Sequence, residues 1–225
     1  MSRLAESTTR CPLCGGRAFP WIGIPLPGSE ATVGLASPVD PDDPQAGDRA
    51  RLFDRCQDCA SGIEKGVEID LEGELDRLTV SRGEGARTLT APNRASWQAA
   101  IGGDGWAALA DWEGHLLLTP RGMELLLDRS GLAGERPAFP PWGANQRWMW
   151  QTLLNGITLH PNFASRVLAG GLRPASSRGR FAFLADAVAS VLATPLVALV
   201  AIPAEAIAAL AGRGGRMVVR ARTRS

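Results

Sequence analysis

Four cysteines constrain this chain more than any other feature. They come as two pairs, Cys11-Pro12-Leu13-Cys14 and Cys56-Gln57-Asp58-Cys59, with none left over. Thiols two residues apart can face one ion from a tight knuckle turn. Two such knuckles supply four sulfurs, the closed tetrahedral set of a structural zinc. A redox dithiol and unligated pairs are the competing readings. A redox pair does not usually come twice, and neither pair heads a βαβ unit, so metal is the expectation. Gly15-Gly16 and Gly62 follow the two pairs and ease the backbone there. A closed site leaves no position for substrate water. Zinc on Cys11, Cys14, Cys56 and Cys59 is therefore expected to serve folding or docking rather than chemistry.

Residues 1–62 are expected to form this zinc ribbon, with residues 63–225 as a second domain. The 41 residues between Cys14 and Cys56 exceed the roughly 15–20 usual for such knuckles. They include LASPVDPDDPQAGD, a Pro- and Asp-rich run that reads as a long acidic, solvated loop. At 225 residues the chain has room for a ribbon and one modest core. Its net charge of +1 gives no field to attract nucleic acid, and no such partner is expected. Lys65 is the single lysine among 24 basic residues, a compositional bias that makes no arginine functional by itself. The opening MSRLAESTTRCPLC lacks the apolar run of a secretion signal, so the expected location is cytoplasmic.

Further along, VEIDLEGELDRLTV (67–80) suits a short strand running into a helical turn, or a hairpin. Asp70 and Gly73, and GGDGW at 102–106, lack the spaced glycines of a nucleotide-binding loop and read as ordinary turns. Thr88, Leu89 and Thr90 have strand character, and the run stops on Ala91-Pro92-Asn93, since proline supplies no ladder donor. Trp97, Trp106 and Trp112 follow within sixteen residues and must pack on something large and apolar. A helix is announced next, with Thr119 as N-cap, Pro120 at N1, Met123, Leu126 and Leu127 on one face, and Gly131 closing it. GERPAF (134–139) is the next candidate strand.

These motifs, LTAPN..SW, the Trp-rich loop, W…GHLLLTPRGMELLLDRSGL and a final RGGRMVVRAR, resemble class I S-adenosylmethionine-dependent methyltransferases that carry an N-terminal zinc ribbon. The similarity covers Leu89 to about Phe139 and Gly214 to Ala221, and the ribbon more loosely. It implies a fifth strand ending in Pro92-Asn93, then a loop with Trp and His, a helix and a sixth strand. A last strand then pairs antiparallel with the sixth. The cofactor half of that fold needs on the order of 100 residues, at about 30 per βαβ unit. Only 27 residues separate Cys59 from Arg87. No Asp/Glu-x-Gly-x-Gly occurs in the chain. S-adenosylmethionine binding is not expected, and no catalytic or cofactor-binding residue is assigned. The resemblance would put a His near His115 on the substrate side, but between Gly114 and an apolar run His115 reads as a hydrogen-bonded structural histidine. His160, just before Pro161, marks a loop with no acid or thiol nearby in sequence, so no nucleophile–base pair is assembled.

Residues 140–212 form an insertion between the last two strands. WGANQRWMWQTLLNGITL reads as helical, and residues 187–204 run for eighteen positions without a charge, the lower edge of a spanning helix. Six of those are alanine, and Pro195 and Pro203 break the ladder. Arginines flank both sides, and RMVVRAR has to return to the sheet of Thr88–Thr90. Two helices meeting near Pro195 are expected, buried in the protein or between two copies, with insertion into one leaflet as the alternative. Burial makes Leu196→Asp a fold-breaking substitution. The expected fold class is α/β: a zinc ribbon, then a reduced Rossmann-like methyltransferase sheet with an apolar helical insertion. The expected function is non-catalytic binding or scaffolding, with a protein partner or a homodimer. One subunit of a split methyltransferase, or an adaptor at the inner face of the membrane, are the alternatives.

Overall fold

The computed structural model describes residues 10–25, 50–83, 85–168 and 177–224. The acidic run between the knuckles, residues 35–48, lies outside them. The elements are β1 (Ala18–Pro25), β2 (Ala50–Cys56), β3 (Gly62–Glu64), α1 (Leu71–Leu78), β4 (Thr79–Gly83) and β5 (Ala86–Pro92). After these come α2 (Trp97–Gly102), β6 (Leu116–Leu117), α3 (Pro120–Arg129) and β7 (Leu132–Gly134). The insertion supplies α4 (Ala144–Asn155), α5 (Phe163–Leu168) and α6 (Ser177–Leu210), and β8 (Arg216–Thr223) follows.

Two four-stranded sheets result, in the orders β1-β2-β3-β6 and β4-β5-β8-β7. Every pairing in both is antiparallel. The mixed α/β class and the clustered cysteines therefore stand. A Rossmann-like parallel sheet does not occur among the described strands, because β4 folds back as a hairpin on β5 where a crossover unit would be needed. β8 pairs along the whole of β5, from Ala86↔Arg222 to Pro92↔Arg216, as the need for RMVVRAR to rejoin that strand required. The boundary after residue 62 runs through β3, and β6 closes the ribbon's sheet on Gly62 and Ile63.

Local chemistry explains most boundaries. Asp70 accepts the Glu72 amide and caps α1, whose Leu75 and Leu78 are buried. Residues 67–70 form no strand, since the capped helix with its acidic first turn takes the segment. Thr119 accepts from the Gly122 amide, Pro120 opens α3, and Met123, Leu126 and Leu127 are buried. GERPAF does not form the expected strand. β7 ends at Gly134, and after Pro137, which has no amide to give, Ala138 makes an isolated bridge to Val218. Trp106 is 1% exposed. It packs with Ile22, Ile24, Phe53 and Leu117, so the Trp-rich segment fills the space over the ribbon's sheet.

α6 departs most from expectation. It is one continuous helix of 34 residues with Pro195 and Pro203 inside it, not two helices meeting at Pro195. At 1.5 Å per residue it is about 50 Å long. Its inner face packs on α4 and α5 and carries Asp186, Ser190, Val197, Ala201, Glu205 and Ala208, all buried. Its outer face is aliphatic and open: Val191 is 73% exposed, Leu192 70%, Leu196 69% and Leu199 72%. Burial of this stretch within the chain is thus corrected. The residues expected inside are outside, because the polar face has the partners.

Those partners are specific. The Asp186 carboxylate accepts from the Leu159 amide (2.7 Å), the His160 amide (3.0 Å) and His160 Nδ1 (2.6 Å). Glu205 accepts from the Gly215 amide (2.9 Å) and from Gln98 Nε2 (2.6 Å), which also donates to the Asn145 carbonyl. Gly215 has to be glycine, as a Cβ there would fall 2.3 Å from Gln98. Burial pushes the Glu205 pKa above its ordinary 4.5, although the Gly215 and Gln98 bonds oppose the shift. The folded state then holds the Glu205 proton more tightly than the unfolded chain, so this group's contribution declines as pH rises from about 4.5 through the raised value. Glu205→Gln keeps an acceptor for Gly215 and removes the titration. In urea midpoints measured from about pH 4 to pH 7, the variant is expected to gain on the wild type as pH rises. Parallel curves would refute the assignment.

Candidate metal centre

Each knuckle is the same turn built twice. In the first, the Gly15 amide bonds the Cys11 carbonyl (2.8 Å) and the Cys11 amide bonds Gly16 (2.8 Å). In the second, Ala60 bonds Cys56 (3.1 Å) and Cys56 bonds Ser61 (2.9 Å). Both need a left-handed residue just after the second cysteine, and Gly15 (φ 78°) and Ala60 (φ 57°) supply it. Gly62, expected to ease the second turn, instead lets strands close: a Cβ there would lie 3.1 Å from both Leu117 and Trp21.

The two turns bring the four Sγ atoms within 4.8 Å of one another. Cys11–Cys59 is 3.7 Å and Cys14–Cys56 is 3.4 Å. A tetrahedron with zinc–sulfur bonds of about 2.3 Å has edges of about 3.8 Å. The set is compatible with a structural zinc. The thiols also perturb one another: a bond from Cys11 to Cys59 holds the Cys59 pKa down to about 5 and, with burial, raises Cys11. Burial raises Cys56 as well. A cation among them would favour the thiolate on all four.

α3 holds both knuckles. The Thr119 hydroxyl donates to the Cys59 carbonyl (2.7 Å), and Arg129 Nε, one helix length away, donates to the Leu13 carbonyl (2.6 Å). Cys11, Leu13, Cys56 and Cys59 share one core with Leu126, Leu127, Met217 and Val219 of α3 and the second sheet. The cluster thus lies within the core, a position compatible with a structural zinc.

Other polar groups singled out in the sequence are used internally. Asn93 lies buried at the end of β5, with its amide on the Gly215 carbonyl (2.8 Å) and its Nδ2 on Gly214 (3.0 Å). The strand end holds the entry to β8. His115 Nδ1 meets Glu64 (2.7 Å), which Arg51 also clasps through Nε (3.0 Å) and a second nitrogen (2.5 Å). Burial would raise the Glu64 pKa, but the Arg51 and His115 bonds outweigh it and hold the group down. His160 meets Asp186, a residue too far along the chain for sequence inspection to pair with it. Sequence reasoning also missed Gln98 and Glu205. Two acids in an apolar run, nineteen residues apart, were the available signal.

No protein-family model, curated protein or solved structure matches this chain in comparison. If the thiols hold zinc, metal analysis of purified protein should return about one zinc per chain, and Cys56→Ser should release it. Such a site's binding energy is largely folding energy, so the variant is expected to lose ribbon structure as well. A folded, metal-free wild type would contradict this.

Proposed function

We propose that this protein is a non-catalytic, methyltransferase-like zinc-ribbon module that acts by binding. The thiolates of Cys11, Cys14, Cys56 and Cys59 hold a structural zinc, and the outer face of α6 is the docking surface. The observation that carries the reading is the polarity of α6. A surface helix ordinarily turns its apolar stripe inward. Here the acids are inside with their partners, and the aliphatic stripe faces out. Contiguous exposed apolar surface of that kind marks interaction sites in soluble proteins. Support for the methyltransferase-like part comes from one end of the second sheet. β5 stops at Pro92-Asn93, α3 and β7 follow, and β8 lies antiparallel between β5 and β7. The split-enzyme alternative would require the missing half to pair on the outer edge of β5. β4 already occupies that edge.

Two measurements test this function. Calorimetric titration with S-adenosylmethionine is expected to give no heat at sub-millimolar concentration, whereas a one-site micromolar constant would restore the enzyme reading. Leu196→Asp, on a side chain 69% exposed, is expected to leave stability within about 0.5 kcal/mol of wild type. Wild type is expected to associate with membrane or with protein in cell fractions, and the same substitution should remove that association. Collapse of this variant, or unchanged partitioning, would overturn the docking role of α6.

A further inference from the structure

The described side chains of α6 and its exit carry exposed charge of one sign. Asp186 and Glu205 are turned into the protein and hydrogen-bonded there. Arg180 at one end of the apolar face and Arg213 just past the other are exposed. Phe181, next to Arg180, is 77% exposed. Resting on the docking role proposed above, we infer that the occupant of this face is an anionic lipid bilayer surface, on which α6 lies in the plane of the headgroups.

Three observations select this occupant. The first is charge complementarity: an aliphatic stripe ended by arginines, with its acids withdrawn, matches an apolar layer beneath negative headgroups. The second is the position of the prolines. Pro195 and Pro203 both lie on the exposed face. Neither has the amide that would bond the carbonyl four residues back, at Val191 and Leu199. A dry seam between two copies would enclose those carbonyls unpaired. The headgroup boundary supplies water and polar groups to bond them while the side chains reach about 5–10 Å deeper. The third is the way the helix is held. Glu205 is bonded to Gln98 and Gly215 of the α/β body, and Asp186, about 28 Å away along the axis, to the connection between α4 and α5, whose α4 packs on α2, so α6 is held along the protein at both acids.

Vesicle flotation tests the inference on the full chain. The probes are vesicles of phosphatidylcholine alone and of phosphatidylcholine mixed with phosphatidylserine. Wild type is expected to float with the anionic vesicles, several-fold less with the neutral ones, and progressively less as salt rises. Leu192→Asp with Leu196→Asp should abolish flotation while circular dichroism and zinc content stay at wild-type values. Arg180→Glu and Arg213→Glu should each lower the anionic-vesicle partition coefficient by at least about five-fold. Equal binding to neutral vesicles, or arginine variants that bind as wild type, would overturn the anionic assignment. Absence of flotation would overturn the lipid assignment altogether. If light scattering then shows a dimer broken by Leu196→Asp, the docking role of α6 survives with a second copy as occupant. A monomer that binds no vesicle and is indifferent to that substitution removes both.

Discussion

Thr119 and Arg129 sit at opposite ends of one ten-residue helix, and each holds a cysteine knuckle through a main-chain carbonyl. That double hold makes the rest of the architecture possible. It places the thiols in the same core as Leu126, Met217 and Val219. A metal closing the four sulfurs would therefore stabilise the second sheet as well as the ribbon. Small cores gain most from such a clamp, since they have little apolar area to offset chain entropy. The repeated turn around Gly15 and Ala60 gives the clamp its shape. The non-glycine left-handed residue at Ala60 is a strained choice, held by its own amide on the Cys56 carbonyl and by the Cys56 amide on the Ser61 carbonyl.

α6 reverses the usual arrangement of a surface helix, and the reversal is energetically consistent. Each buried acid has at least two donors, which limits the desolvation penalty of placing a carboxylate inside. The remaining inward positions are mostly small, so the helix can approach α4 closely. What is left over is a long aliphatic face, most of whose larger side chains keep half or more of their surface exposed. A feature that stays exposed and lowers solubility needs a reason outside the fold.

Much of this was legible in the sequence. The paired cysteines, the Thr119–Pro120 cap and the return of Met217–Ala221 to β5 all follow from local patterns or from chain connectivity. The failures share a physical cause. Pro195 and Pro203 signal breaks by propensity, yet tertiary anchoring at Asp186 and Glu205 carries the helix through them. Apolar composition marked residues 187–204 as unusual but says nothing about which side faces the protein. That is decided by Gln98, Gly215 and His160, which are remote in sequence. The expectation of a parallel sheet followed from the resemblance alone. A five-residue β4, too short to register as more than the end of a helix, closes the edge instead.

The order of the second sheet has a kinetic consequence. β8 lies between β5 and β7, yet it is reached only after the whole helical insertion. Its contacts with β5 span well over a hundred residues, so the central ladder of that sheet carries a large loop-closure entropy and a high contact order. β4 and β5 can pair early as a local hairpin, and the two knuckles can close independently of them. Among the described strands, β7 pairs only with β8. Until β8 arrives, β5 presents an open edge, and that interval is when the nascent protein is most exposed to mispairing.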